Sequence, residues 1–184
     1  MAEVNGKYQV VLSSAPIVAG YDAETGKELW TNECMMGEVG PSPAFGEGLV
    51  FATNEYARLI AINPANGQTV WEDDEYMPEV SSPVVSDGLL FIATTYGVFV
   101  CYDAKTGEKY WEQEFNESFY SSPVVADGKV FISDMTGATH IMEVSKEAKV
   151  LGQPKLGEKI VATPAFAEGK IYVKGVNNLF CIGK

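Results

Sequence analysis

The chain is poor in positive charge. Of its 184 residues 13 are lysine or arginine against 25 aspartate or glutamate, a net charge of −12, and Arg58 is the sole arginine. Such a surface repels a phosphate backbone and an anionic headgroup, which excludes nucleic acid as the main partner. Cysteine is scarce: Cys34, Cys101 and Cys181 are odd in number and far apart, so neither a disulfide framework nor a zinc site is spelled out. Cys101 and Cys181 sit inside apolar runs that suit buried thiols. No run of 18 apolar residues occurs, so no direct helical membrane span is expected. No secretory leader opens the chain, but its first repeat begins inside a strand, so that absence says nothing about compartment.

Catalytic groups are sparse as well. The one histidine, His140, has no serine or cysteine partner in its sequence context and suits a hydrogen-bonded, partly buried role. The densest acidic run, Glu72-Asp73-Asp74-Glu75, lacks the spacing of a calcium loop and suits a solvated loop. No glycine-rich phosphate loop opens a helix, and no helix of any length is patterned. These gaps predict no catalytic residue, no metal and no cofactor.

What is present is repetition. The stretch YDAKTGEKYW (Tyr102 to Trp111) recurs as YDAETGKELW (Tyr21 to Trp30) and, loosened, as INPANGQTVW (Ile62 to Trp71). Trp30, Trp71 and Trp111 are therefore 41 and 40 residues apart. A second motif precedes each turn: SPAFGEGLVFAT from Ser42, SPVVSDGLLFIAT from Ser82, SPVVADGKVFIS from Ser122 and TPAFAEGKIYVK from Thr163. Asp-Gly between apolar runs marks a tight hairpin, and the proline heads a strand, where a missing N–H is tolerated.

Each unit thus reads as four antiparallel strands, A to D. Strand B is almost continuously apolar (Leu89-Leu90-Phe91-Ile92), so both faces of each small sheet need cover. Sheets stacked radially provide it. The predicted fold is all-β, a β-propeller or partial propeller of about 4–5 four-stranded blades with repeats of 40–41 residues. Units fall near 1–37, 38–77, 78–117, 118–157 and 158–184 of a single domain. The fourth is degenerate, with Glu143, Lys146 and Leu151 standing where Asp103, Thr106 and Trp111 stand one period earlier. The first is expected to hold only a remnant of strand A, and the last stops after strand C. End blades of this kind leave an apolar face, so self-association or completion by further sequence is expected.

The motif Asp-Ala-x-Thr-Gly-x-x-x-Trp after an apolar strand resembles the pyrroloquinoline quinone (PQQ)-type repeat. The resemblance implies that Trp30, Trp71 and Trp111 dock against the neighbouring blade, with Asp22, Gly26, Asp103 and Gly107 shaping the receiving turns. It allows a quinoprotein dehydrogenase fragment, an accessory domain of a larger enzyme or receptor, or a cofactor-free scaffold like the lipoprotein of the outer-membrane β-barrel assembly machinery. Dehydrogenases of the family typically carry adjacent cysteines, a calcium and an aspartate base; no two cysteines are adjacent here. The resemblance also implies a bacterial periplasmic, envelope or secreted setting.

Loops vary on one side only. The A-to-B and C-to-D turns are uniform. The D-to-A and B-to-C loops carry Met35, Met36, Tyr56, Tyr76, Met77, Tyr96, Phe119 and Tyr120. Tyrosine and methionine on varied loops above a rigid scaffold suit a face for a protein or peptide partner; the same side chains can instead fold inward and plug the blade tops.

Overall fold

The computed structural model describes residues 1–183, and these contain nineteen strands and no helix. The first sheet is β1 (Ala2–Val4), β2 (Lys7–Ser13), β3 (Ile17–Asp22) and β4 (Glu28–Glu33). The second is β5 (Ala44–Gly46), β6 (Leu49–Thr53), β7 (Leu59–Asn63) and β8 (Gln68–Asp73). The third is β9 (Val84–Ser86), β10 (Leu89–Ala93), β11 (Val98–Asp103) and β12 (Lys109–Glu114). The fourth is β13 (Val124–Ala126), β14 (Lys129–Ser133), β15 (Thr139–Glu143) and β16 (Val150–Gly152). The fifth has three strands, β17 (Ala165–Ala167), β18 (Lys170–Lys174) and β19 (Leu179–Ile182). Within each sheet neighbours in sequence pair antiparallel. This is the predicted propeller architecture, four whole blades and one of three strands.

One expectation is corrected at the first blade. Its strand A is no remnant: β1 is three residues long, and so is strand A of every other blade.

Local chemistry sets the period. In all five A-to-B hairpins both central residues have positive φ, as in Asp87 at 52° and Gly88 at 76°. That is the type I′ turn whose twist matches the flanking strands. At the C-to-D turns an acidic or amide side chain does the work. Asp103 Oδ1 accepts from the Lys105 and Thr106 amides, each at 2.9 Å, and Asp22 Oδ1 accepts from the Thr25 amide and hydroxyl, each at 2.8 Å. Asn63 does the same more weakly through the Ala65 amide at 2.9 Å.

The core lies between blades. Strand β10 is buried along its whole length and β11 over all but its last residue. One apolar cluster joins Val18, Trp30 and Met35 to Val50 and Ile60; the next joins Phe51 and Leu59 to Leu90, Val100 and Tyr102; the third joins Phe91, Phe99 and Trp111 to Val130 and Met142. On the outermost blades one face has no such neighbour. Tyr8, Val10 and Leu12 alternate along β2 and are exposed, as is Leu179 on β19.

Two hydrogen-bond series tie successive blades. Along the strand A entrances, the Ser42 amide donates to Ser82 Oγ, the Ser82 amide to Ser122 Oγ and the Ser122 amide to Thr163 Oγ1, each at 2.9 Å. In the other series, Trp71 Nε1 donates to Ala104 O and Trp111 Nε1 to Ser145 O, each at 3.0 Å. Trp30 follows a variant. Its ring lies over Gly20, where a Cβ would come within 2.3 Å of it. From there it donates to Gln9 Oε1 at 2.8 Å, and Gln9 Nε2 donates to Pro64 O at 3.1 Å. Buried Gln9 thus bridges to the carbonyl equivalent to Ala104 O.

The fourth blade shows how the pattern decays. In the first three, one residue of strand D bulges out of the ladder, and the tryptophan after it pairs with Gly20, Ala61 or Cys101. In the fourth, Leu151 is the bulged residue and Gly152 faces Ile141. The tryptophan position is therefore held by Gly152, not by Leu151 as simple spacing implies.

Removing the buried indole of Trp111 leaves a cavity shared by two blades. Trp111→Ala is expected to cost about 3–5 kcal/mol in equilibrium denaturation. Trp111→Phe, which keeps a ring but loses the N–H, should cost clearly less.

Candidate functional site

Antiparallel order puts all D-to-A and B-to-C loops at one end of the blades. Equivalent polar residues at the ends of the B strands pin them. Asn54 Nδ2 donates to Met36 O at 2.6 Å and Glu38 O at 3.0 Å. Thr94 Oγ1 closes its own loop against Val98, and Asp134 Oδ1 accepts from Thr136 and Ala138.

The aromatic and methionine residues expected on this face divide into two groups. Met36, Tyr56, Tyr96 and Tyr120 are 62%, 55%, 58% and 38% exposed. Met35, Tyr76 and Phe119 are 4%, 9% and 0% exposed and belong to the inter-blade core, so they are not available to a partner. The physical reason is that each descends from its D-to-A loop into the seam between blades. Phe119 packs edge-on against Phe115 at 5.6 Å, and Tyr76 donates its hydroxyl to Glu112. That hydrogen bond, chiefly, pushes the Tyr76 phenol up to about 12. Met77 is partly buried.

Around Tyr56 the surface is concave and acidic. A cavity of about 220 Å³ on one side is flanked by Glu38, Glu55 and Glu79. A second, of about 330 Å³, opens on the other side beside Met36, Cys34 and Arg58. The carboxylates, Glu55 foremost, raise the Tyr56 phenol above its ordinary value. The one arginine is engaged, with Arg58 Nη1 2.6 Å from Glu72 Oε2. Burial pushes the Cys34 thiol to about 11 and Cys101 to about 12, so neither is a ready nucleophile.

The acidic run is a bonded network. Glu72 meets Arg58, Asp73 accepts from the Tyr102 hydroxyl at 3.2 Å, and Glu75 meets Lys109 at 3.0 Å. His140 is buried, its Nε2 2.8 Å from Asp134 Oδ2 and its Nδ1 2.7 Å from Gln153 Nε2, so both ring nitrogens are committed. Burial opposes ionisation of Asp134, yet hydrogen bonds from Thr136 and His140 outweigh it and hold the carboxyl below its usual range. Among the described residues no three His, Cys, Asp or Glu side chains converge to hold a metal. The free cysteines lie in three different blades. These donors do not fit the quinone and calcium site of a dehydrogenase.

Residues 2–83 and 57–151 match the family model described as outer membrane protein assembly factor BamB. The chain belongs to the PQQ-like β-propeller family. No curated protein sequence matches it. The PQQ-like propeller superposes on BamB from Moraxella catarrhalis with a TM-score of 0.79 at 16% identity, over 94% of this chain and 53% of that one. It superposes on the computationally designed Ika8 protein with a TM-score of 0.77 at 12% identity, over 100% of this chain and 60% of that one. With the quinohemoprotein alcohol dehydrogenase from Comamonas testosteroni the values are 0.76 and 15%, over 95% and 40%. At these identities the likeness is one of fold, and the chain spans 53% of the BamB chain it matches.

The turn carboxylates are expected to add to this PQQ-like propeller's loss of stability in acid. The Thr25 hydroxyl holds Asp22, and the Tyr110 hydroxyl holds Asp103, below the ordinary carboxylate range. A depressed folded value means stability present above the unfolded pKa, about 4, and lost as pH falls through the folded one. In melts between pH 7 and 2, Asp103→Asn should flatten the acid loss of Tm. Phe119→Ala, by contrast, should cost about 3–5 kcal/mol at any pH.

Proposed function

We propose that the chain is a non-catalytic propeller scaffold that binds a basic protein or peptide segment on its D-to-A and B-to-C loop face. The observation that carries this reading is the Tyr56 cleft. There an exposed phenol ring stands between Glu38, Glu55 and Glu79 on one side and Met36 on the other, and Arg58 is tied up by Glu72. A lysine or arginine from a partner gains both the carboxylates and the face of the ring. Its apolar neighbours pack on Met36 and Ala57. The net charge of −12 steers such a partner toward this face. Membership of a family named for an outer-membrane assembly factor supports a protein partner and a setting in the bacterial envelope. Tyr96 and Tyr120 extend the same face over blades 3 and 4.

A second reading concerns the ends. The exposed stripe of Tyr8, Val10 and Leu12 favours association of the outermost blades with a further blade. Light scattering should show a species larger than one chain, and a clean monomer that binds no apolar dye rejects this reading.

For the main proposal, a peptide array spanning net charge and apolar content is the direct probe. Retained peptides should carry Lys or Arg beside an apolar residue, and binding should weaken steeply with salt. The double variant Met36→Ala, Tyr56→Ala and the triple reversal of Glu38, Glu55 and Glu79 to Lys should each lower capture at least tenfold. Because these residues are surface groups, the Tm of the double variant should stay close to the parent value. Equal capture of acidic peptides, or undiminished capture by the variants, rejects the proposal.

A further inference from the structure

The seam between blades 4 and 5 is unlike the two before it. Trp71 fills the seam between blades 2 and 3, and Trp111 together with Phe99 fills the seam between blades 3 and 4. In the next seam Gly152 holds the tryptophan position, and Thr139 stands opposite Ser133 as Phe99 stands opposite Ala93. Two aromatic side chains are thus replaced by a glycine and a threonine. Between the two sheets, and lined by Thr139, lies a cavity of about 180 Å³. Its walls include Phe131, Ile141, Phe166, Ile171, Val173 and Ile182. Directly opposed residues of an antiparallel pair project to the same face. Gly152 therefore faces the same side of the sheet as Ile141, and a Cβ built on it meets nothing within 4 Å.

We propose that this cavity binds a small planar aromatic molecule of about the size of indole. The argument for the occupant is internal to the chain: the corresponding seam, two repeats running, holds an indole. The chemistry agrees. No ionisable side chain lines the walls, so a charged ligand finds no partner and loses its hydration. An engineered cavity of about 150 Å³ with a similar apolar lining binds benzene. The tilted pair Phe131 and Phe166, with centroids 4.8 Å apart, offers ring edges and faces to a flat guest.

Indole itself is the probe, added to the full chain with ¹³C-labelled isoleucine and valine methyls. Ile141, Ile171 and Val173 should shift saturably, while Ile60 and Val100, in filled seams, should not. At ten times Kd the Tm should rise by about 3–6 °C. Gly152→Trp should raise Tm without ligand and weaken indole binding at least tenfold; if that variant does not fold, the methyl shifts of the parent chain still decide. The proposal is overturned if indole leaves those methyls unmoved. It is equally overturned if they move only as protein concentration rises, which means a side chain of a second copy is the occupant.

Discussion

A propeller of this kind stands on the contact between one sheet and the next, and here that contact is centred on an indole. The ring of Trp71 or Trp111 covers the apolar seam, while its N–H bonds a backbone carbonyl in the following blade. The turn that receives Trp71 must come close: a Cβ on Gly107 would lie 2.7 Å from the ring. Burial supplies the energy and the hydrogen bond supplies the register, because a buried N–H left unpaired costs about as much as a good contact gains. The Ser82, Ser122 and Thr163 hydroxyls repeat that logic at the other edge of the sheets.

That arrangement leaves one end of the molecule with a lighter structural duty. The A-to-B and C-to-D turns are tied into the ladder and the seams, so their sequences are confined. The opposite loops need only return the chain and cap the seams. Met35, Tyr76 and Phe119 do the capping from below, which leaves Met36, Tyr56, Tyr96 and Tyr120 above them in contact with solvent. Loop residues that neighbour one another in sequence thus differ in duty, one fixed by packing and the other left to solvent. The acidity around Tyr56 belongs to the second set, and it suits a cationic partner.

Where the repeat drifts, the chain shows which parts of the pattern are separable. Trp30 keeps its bond to the next blade although its ring has settled on Gly20, because Gln9 spans the difference. The fourth blade keeps its strands, its bulge and its inter-blade apolar surface after losing the indole altogether. Backbone pairing within a sheet therefore survives changes that empty the seam beside it.

The repeat, the propeller class and the identity of the uniform turns were legible in the sequence. A period near 40, type I′ turn residues and β-branched runs are local signals, and local sterics decide them. Asp22 and Asp103 bond amides two or three residues away, so their role needs no fold to be seen. The depth of a loop side chain is a different matter. Whether Tyr76 or Tyr56 faces water depends on how two sheets lean together, and that distance is set by every side chain in the seam. The Gln9 bridge and the hydroxyl series link residues 40 or more positions apart, and only the stacked sheets bring them within reach. Likewise the substitution of Gly152 for the tryptophan hinges on a one-residue bulge, which spacing does not reveal and strand pairing does. Composition and period determined that small sheets must stack; packing between those sheets decided which side chains remained for function.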